Sequence, residues 1–291
     1  MSVDEAVSLS IGAFPSGVLY GSIAVGLVLV FRVAGTVNLA QGDIYVFGAL
    51  TYAALSTNGW PVLVALIGVL FVGGGIGYVE DRLMLRRLLS SPPPIRLLAT
   101  VGFAGTLAGL GYVLYGADPR GGTPILKGST SVRGTSLDAQ LVLLVVVFLA
   151  AAVATWLYFQ RSATGRAITA VSQDADAARM MGIPVLKLRS ISFATAGAIG
   201  AVTGALAVPL LFADFTQGLS LALRGFVVMA LVGGQNILAA AILGLALAQV
   251  EAYGAFLITT SFVDVVTFAL LVAVVLSAPK ISYLRAFAAE S

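Results

Sequence analysis

The chain has 291 residues, of which 59% are hydrophobic and 10% charged, with a formal net charge of +3 and a mean hydropathy of +1.03. A soluble domain carries about 25% charged residues, so this composition excludes a soluble globular domain and indicates a polytopic membrane protein. The sequence has no cysteine and no histidine, which excludes disulfides, thiolate metal sites and serine–histidine catalysis.

Apolar segments that could enter a bilayer follow one another along the chain, and a membrane helix needs about 20 such residues. The candidate spans are Ile11–Val33, Leu39–Leu55, Pro61–Val79, Leu97–Tyr115, Ala139–Phe159, Ile191–Leu211, Leu219–Val232, Leu238–Ile258 and Val263–Ala278. Leu39–Leu55 and Leu219–Val232 are short or polar and are candidates for broken or re-entrant elements. We therefore predict one all-α domain over residues 1–291, a transmembrane bundle of eight or nine membrane elements.

Basic residues in short loops predict which ends of the spans face the cytoplasm. They concentrate in three segments: Arg82, Arg86, Arg87 and Arg96; then Arg161, Arg166, Arg179, Lys187 and Arg189; and lastly Lys280 and Arg285. The intervening loop Gly116–Asp138 then faces outward, although it also holds three basic residues, one of them Arg133. The small net charge is thus explained by membrane topology and does not indicate nucleic-acid binding. The N-terminus has no basic residue and does not match a cleaved secretory signal.

Glycines spaced four residues apart predict close helix packing, because they place two small residues on one helix face. Such pairs are Gly17/Gly21, Gly73/Gly77, Gly105/Gly109 and Gly200/Gly204. We expect them to pack within one subunit, and a subunit interface is the alternative.

Two short segments suggest an internal repeat. Leu39–Gly42 and Gly233–Asn236 each place small and amide residues beside an apolar span. Transporters often contain inverted repeats with interrupted helices near the substrate path. We expect these two segments to be equivalent.

The sequence contains no convincing nucleotide site. Gly122–Thr130 superficially resembles a phosphate-binding loop, but Lys127 precedes Gly128, whereas the lysine of a P-loop follows the second glycine. Asp43 and Asp264 lie near span ends and do not have the surroundings of a paired-aspartate protease. We therefore expect no enzymatic activity and no cofactor bound by this chain.

The polar segment Gln160–Ser190 is the longest interruption in the apolar second half of the chain. Asp174 or Ser172 can cap a helix that runs from Ala175 to Met181. Gly182 can end this helix in the left-handed conformation, and Pro184 is expected to prevent its resumption. The helix would present a small Ala177–Ala178 face and an apolar tip of Met180 and Met181. It would be either a solvated loop helix or a knob that inserts into a groove on another protein.

This loop resembles a known element of transport proteins. Asp176-Ala177-Ala178-x3-Gly182 is similar to the Glu-Ala-Ala-x3-Gly loop of ABC importer permeases, with Asp in place of Glu. Thr36–Asp43 resembles the Asn-Phe-Ala-His-Gly-Glu element of the LivH-type branched-chain amino acid permeases. Further matches to that family follow in the same order: Gly165-Arg166-Ala167, Met181-Gly182-Ile183, Val232-Gly233-Gly234 and Asp264–Leu271. The resemblance runs from about Ser16 to Pro279.

The resemblance implies a permease subunit in the cytoplasmic membrane of a prokaryote, translocating branched-chain or related amino acids. Its expected partners are two cytoplasmic ABC ATPase subunits, a homologous second permease subunit and an external or periplasmic solute-binding protein. ATP and Mg would bind in the ATPase subunits. The residues expected to couple to the ATPase are Asp174, Asp176, Ala177, Ala178, Arg179, Met181 and Gly182.

Polar residues in or near the bilayer are costly and are therefore candidates for the translocation path. These candidates are Asn38, Gln41, Asp43, Gln235, Asn236 and Glu251. Asp43 has a structural alternative, a pair with Arg32. Glu251 could face the bundle interior and pair with Arg224, or it could extend outward.

Other functions are compatible with the same sequence. A urea or short-amide ABC permease shares the same elements. An ion-coupled secondary transporter would need no ATPase, but it usually relies on buried carboxylates or histidines, which are few or absent here. A passive channel for a small polar solute is a third alternative.

Overall fold

The computed structural model describes residues 2–132, 134–258, 265–267, 269–270 and 272–273. The helices within these residues are α1 (Val3–Ala34), α2 (Gln41–Thr57), α3 (Val62–Val79), α4 (Pro93–Tyr115), α5 (Ala139–Arg161), α6 (Ala163–Gln173), α7 (Ala175–Met180), α8 (Val185–Leu211), α9 (Gly218–Leu231) and α10 (Ile237–Leu257). A π-helical segment, Glu80–Met84, and a 3-10 turn, Leu85–Leu88, continue α3. The predicted span Val263–Ala278 lies mostly outside the described residues, and Arg133, Lys280 and Arg285 lie wholly outside them.

Six helices in the described part of the chain are long and apolar enough to cross a membrane: α1, α3 with its continuation, α4, α5, α8 and α10. The two predicted short elements are α2, with 17 residues, and α9, with 14. At a rise of 1.5 Å per residue these helices span only about 25 and 20 Å. The helical bundle and its short elements are therefore confirmed.

Several helices begin earlier than their apolar runs. Helix α1 begins at Val3, not near Ile11, because Ser2 and Glu5 form a capping box around its first turn. Helix α8 begins at Val185, before the apolar run that starts at Ile191. The length of the apolar run therefore underestimates the length of these helices, because polar residues extend each helix beyond its apolar run.

Helices α1 and α8 form the centre of the bundle. In the most apolar stretch of each helix, 89% of the residues of α1 and 67% of those of α8 are buried. The corresponding share is only 22 to 28% for α3, α4 and α5. Helix α1 packs on α10, α8 and α9, while α8 packs on α3, α2 and α1. The remaining long helices expose most of their surface, as expected for helices that face lipid or other subunits.

Glycines permit close crossings of α1 with α10 and of α3 with α8. A Cβ on Gly244 of α10 would overlap the backbone of Gly21, and a Cβ on Gly73 of α3 would overlap the carbonyl of Gly197. Packing within the subunit is thus confirmed for three of the predicted glycine pairs, since Gly200 and Gly204 of α8 also lie against Gln41 and Tyr45 of α2. It is wrong for Gly105/Gly109, since no described atom outside α4 lies within 4 Å of either Cβ position.

The two halves of the bundle are related as an inverted repeat. A six-residue loop joins α1 to α2 and another joins α8 to α9, and a long helix follows in each case. Helix α1 of the first half corresponds to α8 of the second, and α3 corresponds to α10. The packing of α1 on α10 therefore corresponds to the packing of α8 on α3. The C-terminal end of α1 and the N-terminal end of α8 border the same cavity, so the two central helices run in opposite directions.

The repeat pairs different segments from those predicted. Asn38-x-x-Gln41-Gly42 is equivalent to Asp214-x-x-Gln217-Gly218, since each precedes the short helix of its half. The two motifs also meet, because a Cβ on Gly42 would overlap the carbonyl of Gly218. The predicted partner Gly233–Asn236 instead joins α9 to α10, where Gly234 lies against Phe31. The predicted pairing was wrong because it rested on the similar composition of two segments beside apolar spans. It did not take into account where each segment lies in the order of the helices.

Polar segments lie at opposite ends of the bundle as the basic residues predict. The Arg86 guanidinium donates to the Leu186 carbonyl and the Ser190 hydroxyl, so both predicted cytoplasmic loops share one end. At the other end the loop Gly116–Asp138 pairs with the segment after α8 through backbone bonds between Arg120 and Ala213. This outer loop also contains an antiparallel hairpin of β1 (Ser129–Val132) and β2 (Thr135–Asp138), which composition did not predict.

Candidate functional site

Helix α7 forms at the end of the bundle that is predicted to be cytoplasmic. The Asp174 carboxylate accepts the backbone N–H groups of Asp176 and Ala177, each at 2.9 Å, and so caps the helix. Gly182 has a φ of 78°, and the Ile183 N–H donates back to the Ala178 carbonyl. The predicted helix and its left-handed termination are thus confirmed, with Asp174 and not Ser172 as the cap.

Pro184 starts the next helix, contrary to the prediction that it prevents helix from resuming. Helix α8 begins at the following residue, and the Pro184 carbonyl accepts from the N–H groups of Lys187 and Leu188. Proline suits this position because the first residues of a helix need no N–H for an intrahelical bond. Only a short turn therefore separates α7 from α8, which is a central helix of the bundle.

The two faces of α7 differ sharply in exposure. Ala178 is 4% exposed and points into the protein, whereas Met180 and Met181 are 84% and 83% exposed. The prediction of an alanine docking face is therefore wrong for Ala178. The accessible surface is the methionine tip together with the exposed Arg179–Asp176 ion pair, whose N–O distance is 2.9 Å.

Helix α6 holds α7 against the bundle. The Ser162 hydroxyl accepts the Gly165 N–H at 2.8 Å and caps α6, whose Ile168 and Val171 side chains are buried. Arg32 near the end of α1 donates to Thr169 of α6 at 3.0 Å. The segment 160–190 is thus a folded arm of α6, α7 and the start of α8, which we call the coupling arm.

A buried ionic cluster joins the coupling arm to α3. Asp81 lies in the π-helical segment after α3 and is fully buried. Its carboxylate accepts from the Arg189 Nε at 3.0 Å and from the Ser190 hydroxyl at 2.7 Å. A nitrogen of Arg86 lies 3.5 Å from the same carboxylate. We call Asp81, Arg86, Arg189 and Ser190 the clamp.

The clamp was not predicted from the sequence. Its only sequence signal is the pair Glu80-Asp81 directly after an apolar helix, and Arg189 and Ser190 lie 108 and 109 residues from Asp81 along the chain. Breaking a buried ion pair by removing one partner costs about 3–5 kcal/mol. The clamp therefore holds the end of α3 against the start of α8.

Asn38 connects the loop before α2 to two other elements. Its amide Nδ2 donates to the fully buried Glu80 carboxylate at 2.8 Å, while its Oδ1 accepts the Ala40 N–H. The Leu39 N–H in turn donates to the Thr100 hydroxyl of α4. These bonds explain why this loop keeps its shape with a polar residue buried inside the bundle.

Gln41 and Asp43 lie where α2 meets α8 and α9. The Gln41 Nε2 donates to the Ala196 carbonyl at 2.8 Å. Asp43 is 5% exposed, its carboxylate lies against Gly218 at the start of α9, and its Oδ2 has no hydrogen-bond partner among the described residues. The predicted Arg32–Asp43 pair is wrong, because Arg32 bonds Thr169.

The other predicted path residues lie elsewhere. Asn236 caps α10 by accepting the Ala239 N–H at 3.1 Å, and Gln235 borders a cavity at the end that is predicted to be cytoplasmic. Glu251 accepts from Tyr20 at 2.7 Å and from Arg224 at 3.2 Å, which confirms the pairing with Arg224 inside the bundle and not the outward alternative. The six predicted residues therefore occupy three separate places and do not form one continuous path.

Comparison with known proteins supports a transport function. The family model described as the branched-chain amino acid transport system permease component matches residues 12–275. The permease protein LivH of the high-affinity branched-chain amino acid transport system of Salmonella typhimurium is 28% identical, with 90% of each chain covered. BraD, the corresponding permease protein of Pseudomonas aeruginosa, is 25% identical, with 90% of this chain and 91% of BraD covered.

A more distant relative is the probable ABC transporter permease protein y4mJ of Sinorhizobium fredii, which is 27% identical over 72% of this chain and 61% of its own. No solved structure gives a significant match to this chain.

Proposed function

We propose, from the premise that this chain belongs to the family of branched-chain amino acid transport system permease components, that it is the membrane-spanning subunit of an ATP-driven importer of branched-chain or related amino acids. Similarity to LivH and BraD over 90% of the chain favours this substrate class over urea or short amides. The chain is a multi-pass protein of the prokaryotic cytoplasmic membrane and a transport subunit, not an enzyme.

The single observation that carries the mechanism is the direct connection of α7 to α8. Met180 and Met181 form an exposed, flexible apolar tip, which suits insertion into a groove on a cytoplasmic ATPase subunit. Gly182 allows the sharp turn that presents this tip. Movement of the docked tip then displaces α8, because α8 begins immediately after Pro184.

The clamp extends that displacement to a second membrane helix. When α8 moves, Arg189 and Ser190 carry Asp81 with them, since separating a buried ion pair is costly. Helix α3 therefore follows α8, and the two helices also share the Gly73–Gly197 crossing. ATP-driven closure of the ATPases is thereby coupled to a rearrangement of the bundle between outward and inward access.

The assembly proposed around this chain has three further kinds of component. Two ATPase subunits bind ATP and Mg and contact the coupling arm. A homologous second permease completes the membrane part, and an external solute-binding protein delivers the substrate. Support for the ATPase partners comes from the exposed tip of α7 and from the similarity to an ABC transporter permease protein.

Of the six residues predicted to line the translocation path, we retain Gln41 and Asp43. Both are buried at the contact between the equivalent starts of α2 and α9. They would become accessible to a substrate only when these two helix starts separate. Asn38, Asn236 and Glu251 instead have hydrogen bonds that explain their presence structurally.

Reconstituted transport tests this function. The chain and its candidate partner permease are placed in proteoliposomes with the binding protein, with and without the ATPases, and uptake of labelled leucine is measured. We expect uptake that requires both ATP and the ATPases. Uptake at the full rate without any ATPase would show an ion-coupled transporter or a channel and would contradict the proposal.

A further inference from the structure

A cavity of about 590 Å³ lies between the coupling arm and the cytoplasmic ends of α1 and α4. Four arginines line it: Arg32, Arg96, Arg179 and Arg189. Two of them are neutralised, because Arg179 pairs with Asp176 and Arg189 with Asp81. Such a concentration of one charge sign in a concave site attracts an anion.

Arg32 and Arg96 have no ion-pair partner within the described part of the chain. Arg32 donates to the neutral Thr169 hydroxyl at 3.0 Å and stacks on the Phe159 ring. Arg96 donates to the Ala34 carbonyl at 3.1 Å. A guanidinium has five N–H donors, so each arginine retains donors for a further acceptor.

The depth of these two arginines identifies the source of the anion. Arg32 lies in the last turn of α1 and Arg96 near the start of α4, which places both at the cytoplasmic boundary of membrane-spanning helices. The walls beside them include the apolar side chains of Phe31, Leu89 and Pro93. Basic pockets between helices at this boundary bind phospholipid headgroups. The general excess of basic residues in cytoplasmic loops does not explain Arg32 and Arg96, because both line a cavity and do not lie on an open loop surface.

We propose that this cavity binds the phosphate of an anionic phospholipid from the inner leaflet, held between Arg32 and Arg96. Asp176 and Arg179 of α7 also line this cavity. A bound headgroup therefore lies under the coupling arm and braces it against the ends of α1 and α4. The proposal goes beyond transport and does not depend on any ATPase.

Lipid binding to the purified, delipidated full-length chain tests this site. Short-chain phosphatidylglycerol, short-chain phosphatidylcholine and inorganic phosphate are titrated separately, and bound ligand is counted by native mass spectrometry. We expect phosphatidylglycerol to bind more tightly than phosphatidylcholine, and inorganic phosphate to bind most weakly. At about 1 kcal/mol for each arginine, Arg32→Gln or Arg96→Gln should weaken phosphatidylglycerol binding about fivefold, and the double variant about thirtyfold.

Matched variants separate a specific site from general attraction. Arg87→Gln removes the same charge from the same end of the bundle outside the cavity and should leave the affinity unchanged. Arg96→Lys keeps the charge and should retain most of the binding. If Arg32→Gln does not fold, Arg96→Gln and Arg96→Lys still decide the question, because Arg96 makes no aromatic contact among the described residues.

Each other outcome overturns the proposal in a defined way. Equal binding of the two lipids, or an unchanged affinity in the Arg96→Gln variant, would remove the site. Inorganic phosphate binding as tightly as phosphatidylglycerol would make a free anion the ligand and overturn the lipid assignment. If none of the three ligands binds, the lipid proposal is also overturned. The two arginines would then be expected to pair with a carboxylate of another protein segment.

Discussion

Two aspartate–arginine pairs with almost the same N–O distance lie in opposite environments at the end of the bundle that is predicted to be cytoplasmic. Asp176 and Arg179 of α7 are 2.9 Å apart with side chains 84% and 48% exposed. Asp81 and Arg189 of the clamp are 3.0 Å apart with side chains 0% and 3% exposed. An exposed pair contributes about 0–1 kcal/mol, while breaking a buried pair costs about 3–5 kcal/mol. The exposed pair can therefore be given up to a partner, whereas the buried pair holds two helices together.

The largest effect is expected from the buried pair. Asp81→Ala leaves the Arg189 guanidinium buried without its partner, so we expect a loss of about 3–5 kcal/mol in the free energy of unfolding. Urea or heat unfolding in detergent, followed by circular dichroism, measures it. Replacing both partners, as in Asp81→Leu with Arg189→Met, should recover most of the loss. A change below about 1 kcal/mol in the single variant would show that the clamp does not couple α3 to α8.

The contact between the two halves of the repeat should show an intermediate effect. Gly42→Ala places a methyl group where the Gly218 carbonyl lies, so we expect a destabilisation of about 1–3 kcal/mol from overpacking. Gly105→Ala on α4 is the matched control, because no described atom outside that helix lies near its Cβ position. Both variants are compared by thermal unfolding. Equal behaviour of the two would contradict the close meeting of α2 and α9.

The exposed pair should contribute least to stability. Asp176→Ala removes an ion pair that is open to water, and we expect a change of about 0.5 kcal/mol or less in the free energy of unfolding. The cap at Asp174 is untouched in this variant, so α7 should remain helical. Measuring the free energy of unfolding of Asp176→Ala and Asp81→Ala under the same conditions checks this difference directly. A loss as large as that of Asp81→Ala would mean that the two environments are not distinct.

The same contrast explains how much of the structure the sequence predicts. Helix α7 was predictable because its cap, its helix formers and Gly182 are neighbours in the chain. The clamp was not, because Asp81 and Arg189 are 108 residues apart and each resembles an ordinary loop charge. The alternative of an Arg32–Asp43 pair failed for the same reason, since proximity in the sequence to Arg32 does not reveal that the Asp43 carboxylate faces Gly218.

The membrane elements were predictable where composition alone determines them. Long apolar runs identify the helices, and spacing identifies the glycines at the α1–α10 and α3–α8 crossings. Which glycine faces which helix depends on the three-dimensional arrangement, and the outward-facing Gly105 shows this. The inverted repeat became visible only when the order of helices placed Gln41-Gly42 opposite Gln217-Gly218.

Binding of the candidate ATPase to two glycine variants tests the central claim most directly. Gly182 and Gly59 both have a φ of 78° and open space around the Cβ position, but Gly182 lies on the coupling arm and Gly59 at the opposite end of the bundle. Tryptophan at either site therefore imposes a similar local strain. If the coupling arm is the docking element, Gly182→Trp should weaken ATPase binding about tenfold or more. Gly59→Trp should bind as wild type, and equal binding by both variants would contradict the account.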